Sequence, residues 1–115
     1  MQLAEAASKL RRVYAVGVRP PVPMTVAAWA EKYRRLPDHS AQPGRWSNRT
    51  TPYLVAIMDA LSDTDPCERV GVIKGSQVGG TEVICNWAGW TIDHSPTPMI
   101  LIQPTLGLAK DFSKQ

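Results

Sequence analysis

The sequence predicts an α/β fold with a parallel sheet, and three observations carry that prediction. RVGVIK at 69–74 and MILI at 99–102 are short runs of strand composition bounded by turn residues. A helical apolar stripe lies between them, and helix-start signals stand before and after. Strand, helix and strand in that order make a βαβ unit, whose strands are parallel. Parallel pairs are stable inside larger sheets covered on both faces, and MILI, apolar at every position, has the pattern of a strand buried on both sides. Two strands and one crossover helix do not complete such a sheet. The expectation is the beginning of a larger α/β domain, cut at Gln115.

The elements before the βαβ unit read as helices. Leu3, Ala6, Ala7, Leu10, Val13 and Tyr14 share one face of an amphipathic helix over 2–14. VGVRPPVPM, with three prolines, then predicts a semi-rigid spacer. Thr25 is an N-cap for a second helix reaching about Leu36, with Val26, Trp29, Ala30 and Tyr33 on its inner face and Pro37 as its stop. Residues 36–50 are loop by composition. Thr51-Pro52 starts a third helix, hydroxyl cap followed by proline at the first helical position, with Leu54, Ile57, Met58 and Leu61 as its stripe. SDTDP closes it. A helix over 81–92 turns Val83, Ile84, Trp87 and Trp90 inward, and a last helix begins at 105. The expected units are 1–20, 21–50 and 51–115.

Of 115 residues, 43% are hydrophobic and 20% charged, which excludes a disordered tail. No apolar run reaches the ~18–20 residues of a membrane helix, and the opening residues read as no secretory signal. Cys67 and Cys85 have neither metal-ligand nor disulfide-framework spacing, so the expected compartment is reducing and cytoplasmic. The net charge of +3 is unevenly spread. Residues 1–50 hold nine Lys/Arg against three acids, and residues 51–115 hold four against seven. A basic arm on an acidic body is compatible with a nucleic-acid partner and equally with an ordinary solvated surface.

The chemistry is concentrated in Lys74-Gly75-Ser76-Gln77-Val78-Gly79-Gly80-Thr81, between the first expected strand and the following helix, where phosphate-binding loops lie. The standard loop is G-x-x-x-x-G-K-[ST]. With its hydroxyl on Thr81, the second glycine falls on Gly79, the usual lysine slot on Gly80 and the first-glycine slot on Lys74. The lysine has therefore moved to the front of the loop. Glycine backbone can still curl to aim N–H groups at a polyphosphate, and the helix N-terminus adds favourable partial charge. Thr81 offers a hydroxyl to Mg²⁺, and Lys74 a point charge to the β/γ-phosphates of ATP. A dinucleotide fingerprint is absent, since no G-x-G-x-x-G occurs and the second run ends in Gln103.

This loop, of the form K-x-x-x-x-G-x-[ST], resembles the deviant Walker A of the large terminase subunit of tailed phages, the lambda-like DNA-packaging ATPase and nuclease family. Trp29-Ala30-Glu31, Pro43-Gly44-Arg45-Trp46, Thr51-Pro52-Tyr53 with Ala56-Ile57-Met58-Asp59-Ala60, and Gln103-Pro104-Thr105 extend the resemblance over about residues 20–115. It implies an ASCE-type P-loop ATPase that pumps double-stranded DNA into a procapsid, followed by a nuclease domain. The implied partners are the small terminase subunit, the portal and further copies of the chain, in the host cytoplasm and with no membrane. Lys74 is the implied catalytic residue, and residues 74–81 the implied ATP site. The Walker B aspartate, the catalytic glutamate and the nuclease acids are expected beyond residue 115, so this fragment alone is expected to be inactive. The aromatic expected beside adenine has no clear counterpart in Ser40-Ala41-Gln42-Pro43, with Gln42 and Tyr53 as possible substitutes.

Other residues have plainer alternatives. Gln103 and Thr105 either couple to DNA or nucleotide, or form a strand-to-helix turn with Thr105 as cap. Trp87, Trp90 and Trp46 read as packing residues before they read as base-stacking ones. Arg34 and Arg35 read as a solvated helix end, Cys85 as a small core residue, and His39 and His94 have no role. The helix over 2–14 suits docking on the small subunit. Two rival readings are a non-enzymatic DNA- or partner-binding module and another P-loop ATPase, such as a helicase.

Overall fold

The computed structural model describes residues 2–20 and 22–114. Met1, Pro21 of the expected spacer and Gln115 of the last expected helix lie outside the described residues. The elements are α1 (Gln2–Val18), α2 (Val26–Tyr33), β1 (Arg35–Leu36), β2 (Gly44–Arg45), a 3-10 turn (Pro52–Leu54), α3 (Val55–Ala60), α4 (Gly80–Asp93) and α5 (Leu106–Ser113).

α2 begins as expected, the Thr25 hydroxyl accepting from the N–H of Ala28 at 3.2 Å. It ends at Tyr33, earlier than expected, because Arg34 turns extended and leads into β1. β1 pairs antiparallel with β2, Arg35 opposite Arg45 and Leu36 opposite Gly44, inside a stretch read from sequence as loop. α1 runs on through Val18, so VGV belongs to the helix and the spacer starts later than expected. Glycine within a helix is only mildly unfavourable, and the break comes where the prolines remove N–H donors. No residue of α1 is buried; its apolar face, with Leu3, Leu10, Val13 and Tyr14, is exposed.

The third helix starts differently from its expectation. Pro52 does open it, but as a 3-10 turn, and the Thr51 side chain makes no cap bond. The Thr51 hydroxyl oxygen is buried without a hydrogen-bond partner among the described residues.

Val26, Ala27, Trp29 and Ala30 of α2, Trp46 after β2, Leu54, Met58 of α3, and Val83 and Trp90 of α4 form one core. Its three tryptophan N–H groups are all satisfied. Trp29 donates to Asp93 Oδ2 at 2.8 Å, Trp46 to Asn48 Oδ1 at 2.8 Å and Trp90 to the Met24 carbonyl at 2.9 Å. The buried Ser62 hydroxyl accepts from the N–H of Val26 at 2.9 Å and donates to the Met58 carbonyl at 3.2 Å, tying α3 to the start of α2. The packing roles of Trp90 and Trp46 follow from these contacts.

The parallel sheet is the main correction. Residues 69–74 and 99–102 form no strand, and the only ladder among the described residues is β1–β2. MILI is exposed, with Ile100 at 87% and Ile102 at 86%. A strand exists only when its N–H and C=O groups meet those of a neighbour. Apolar, β-branched composition makes these runs suitable for a sheet, but no segment pairs with them among the described residues. What is observed is a helix-rich body with one small antiparallel ladder.

Candidate phosphate-binding loop

The loop from Lys74 to Thr81 leads into α4, as the sequence predicts, but the segment before it is irregular and not the expected strand. Gly79 caps α4 in the left-handed region, φ +87°, where only glycine sits without strain, and its carbonyl accepts from the N–H of Val83 at 3.1 Å. A Cβ at Gly79 would stand 3.0 Å from Leu54 Cδ1, so the loop also packs closely on the core. Gln77 takes φ 54°, a conformation uncommon outside glycine and asparagine, which bends the chain at the loop tip.

Helix geometry leaves the first N–H groups of α4 without intrahelical partners. The irregular backbone before it leaves more. The N–H groups of residues 75–82 make no hydrogen bond among the described residues. Gly75, Ser76, Gln77 and Thr81 are exposed and Val78, Gly79 and Gly80 partly so, so this run of donors is open to solvent. The Thr81 side chain is likewise exposed in the first turn of α4.

Lys74 does not point away from this turn. Its Nζ donates to the Gly75 carbonyl at 3.4 Å, and its stem crosses over Gly80. A Cβ built on Gly80 would clash with Lys74 Cδ and lie 2.5 Å from Cε and 3.5 Å from Nζ. The side chain therefore fills the space above the residue that stands in the ordinary lysine slot. A cation brought from the front of the loop thus lies over the helix start.

Two residues hold the loop from outside. The Tyr53 hydroxyl donates to the Val78 carbonyl at 3.0 Å, so Tyr53 lies against the loop backbone. Arg34 pairs with Glu82, the residue after Thr81, Nη2 to Oε2 at 2.8 Å, and donates through Nε to the buried Asn86 Oδ1 at 3.1 Å. The sequence reading put Arg34 at a solvated helix end. No local pattern marks an ion pair between residues so far apart in the chain, and only the Glu82/Asn86 spacing of one helical turn hinted at a common face. Between α3, residues 70–75 and α4 lies a cavity of about 530 Å³, lined mainly by apolar side chains such as Ile57, Leu61, Val72 and Trp87, with Lys74 and Gly80 at its loop end.

The turn at 103–105 is not joined to this loop by any hydrogen bond or ion pair among the described residues. Gln103 is partly buried, and the Thr105 hydroxyl caps α5 by accepting from the N–H of Leu108 at 3.2 Å. Gln42 is exposed in the loop before β2. His, Cys, Asp and Glu side chains form no group of three or more able to hold a metal among the described residues. Nor is any described helix long and apolar enough to cross a membrane.

Comparison with known proteins identifies the family. The family model described as the ATPase domain of phage terminase large subunit gpA matches residues 40–115. The chain is 38% identical over 95 residues to the large terminase subunit of Enterobacteria phage P21, covering 82% of this chain and 14% of that protein. It is 33% identical over 111 residues to the large terminase subunit of Escherichia phage lambda, covering 93% of this chain and 17% of that protein. No solved structure matches significantly. A loop of free amides and a lysine laid over a helix start thus sit inside the matched region, and the chain belongs to the phage terminase large subunit gpA ATPase-domain family.

Proposed function

We propose that this chain is the N-terminal part of an ATP-driven motor that packages double-stranded viral DNA into procapsids. The observation that carries the reading is the cradle at 74–81: open N–H groups over 75–82 with the Lys74 side chain folded across Gly80. Such a donor set suits a polyphosphate, because amides and a helix terminus aim partial positive charge at one point and the ammonium adds a full one. ATP, when bound, would supply the phosphoanhydride, and Mg²⁺ the charge neutralisation of phosphoryl transfer. The residues do the rest. The amides of 75–80 would hold the phosphate oxygens, Lys74 would stabilise charge on the β/γ side, and the Thr81 hydroxyl oxygen would ligate the metal. Thr81 would be one of the few protein ligands Mg²⁺ takes beside phosphates and water, with the Walker B aspartate expected beyond residue 115 as another.

The fold proposed for the complete domain is an ASCE-type P-loop fold, in which residues 69–74 and 99–102 gain the neighbours they lack. DNA, the small subunit, the portal and further copies of the chain are the proposed partners, in the host cytoplasm, with a nuclease in the remainder of the large subunit. Gln103 and Thr105 are proposed to face DNA or nucleotide from the edge of that sheet. The test is ATP turnover by the large subunit carrying this chain. Lys74→Ala should lower it about 100-fold or more with circular dichroism unchanged. Turnover at the wild-type rate would end the assignment.

A further inference from the structure

Glu82 lies in the first turn of α4, directly after Thr81. A carboxylate there favours the helix through the macrodipole, yet the same charge repels a polyphosphate bound at that end. The charge does not stand bare. Arg34 Nη2 is 2.8 Å from Glu82 Oε2, its Nε donates to Asn86 Oδ1 at 3.1 Å, and its Nη1 donates to the Arg35 carbonyl at 2.5 Å. Three nitrogens of one planar fork are thus engaged, two of them by residues one turn apart on α4. Arg34 is also the C-terminal cap residue of α2, its own N–H donating to the Ala30 carbonyl at 3.0 Å, and Asn86 is fully buried. The guanidinium therefore has little freedom, and the end of α2 is tied to the start of α4.

We infer that Arg34 is a positioning residue for the phosphate loop: it neutralises Glu82 and fixes the first turns of α4, keeping that helix terminus receptive to polyphosphate. This rests on the reading of 74–81 as a phosphate cradle. A plain structural ion pair would hold the helix in place with no bearing on ligand charge, and the two roles part in experiment. Cys85 provides an internal reporter. Burial, and then the Glu82 charge, push its thiol above the ordinary range, while the Arg34 charge and hydrogen bond pull it down.

The experiment is an NMR titration of the full chain with Mg-ATPγS, a method that reads millimolar affinities. Arg34→Ala should weaken binding about tenfold, the effect of one unscreened neighbouring charge. Glu82→Gln in that background should restore it to within a few-fold, although the bond to Asn86 stays lost. Glu82→Gln alone, which leaves the fork on Asn86, should bind at least as tightly as wild type, and it decides the matter if Arg34→Ala fails to fold. In a Cys67→Ser background, the alkylation midpoint of Cys85 should rise with Arg34→Ala and fall back in the double variant. Wild-type affinity in Arg34→Ala, absence of rescue by Glu82→Gln, or weakened binding by Glu82→Gln alone would each overturn the inference while leaving the cradle standing. No binding by the wild-type chain would overturn the cradle and the inference together.

Discussion

Trp29 occupies the space where a side chain at position 89 would stand: a Cβ on Gly89 would fall 2.5 Å from its Cη2 and 3.0 Å from its Cζ3. The indole lies across α4 there, and its N–H reaches Asp93, one turn further along. Glycine inside a helix is ordinarily unfavourable by roughly 0.5–1 kcal/mol relative to alanine. At this site the close approach of α2 outweighs that.

The sign of a substitution at 89 should therefore reverse. Gly89→Ala is expected to lower unfolding stability by about 1–3 kcal/mol, the usual range for overpacking. Urea denaturation followed by tryptophan fluorescence measures it. A gain in stability would mean that the indole swings aside at no cost.

Gly79 is constrained by its backbone and its surroundings at once. Alanine there meets the left-handed φ of +87° and the Leu54 side chain together. Gly79→Ala should cost about 1–2 kcal/mol from conformation alone. Gly79→Ala/Leu54→Ala should show the conformational share surviving after the contact is gone, on top of the cavity cost of Leu54→Ala measured separately.

Gly80 separates ligand affinity from folding. Its φ is not left-handed, and the atoms a Cβ would meet belong to the flexible Lys74 side chain. Gly80→Ala should leave stability unchanged or slightly raised, since alanine favours the first helical turn. Displacing the Lys74 stem should weaken Mg-ATPγS binding several-fold in the same titration. Unaltered binding would show that the ammonium reaches phosphate by another path.

The partly buried Cys85 thiol should mark the alkaline side of the stability profile. Burial first, and the Glu82 carboxylate second, hold its pKa above the ordinary thiol value, with Arg34 opposing. A thiol raised in the folded state favours folding while protonated. Its contribution is fully present below the unfolded-state pKa and is lost as pH rises through the folded one. Stability should therefore decline above the ordinary thiol range, less steeply in Cys85→Ala, as thermal melts across alkaline pH will measure. Iodoacetamide should modify the exposed Cys67 ahead of Cys85 at neutral pH.

Local signals were legible in the residues because local chemistry determines them. Thr25 and Thr105 cap the helices they were expected to cap, and α4 starts at the glycine pair before Thr81. Thr51 looked like the same signal and is not one, since its hydroxyl makes no cap bond and the turn that follows is 3-10. Whether a hydroxyl reaches the third amide depends on the entry angle of the chain, and Thr51 enters with φ −134° and ψ 65°.

What the linear order of residues determined by itself is the loop: glycine where the backbone must reverse, lysine before it and a hydroxyl after it, all within eight consecutive positions. Bond geometry and helix periodicity act over that distance without help from the rest of the chain. Only the tertiary structure decided that Arg34 faces Glu82, that Trp29 closes over Gly89, and that the apolar runs at 69–74 and 99–102 stand without a ladder. Each of these needs groups far apart in sequence to meet. An ion pair or a strand is a property of two segments, and neither segment alone carries the information that the other is there.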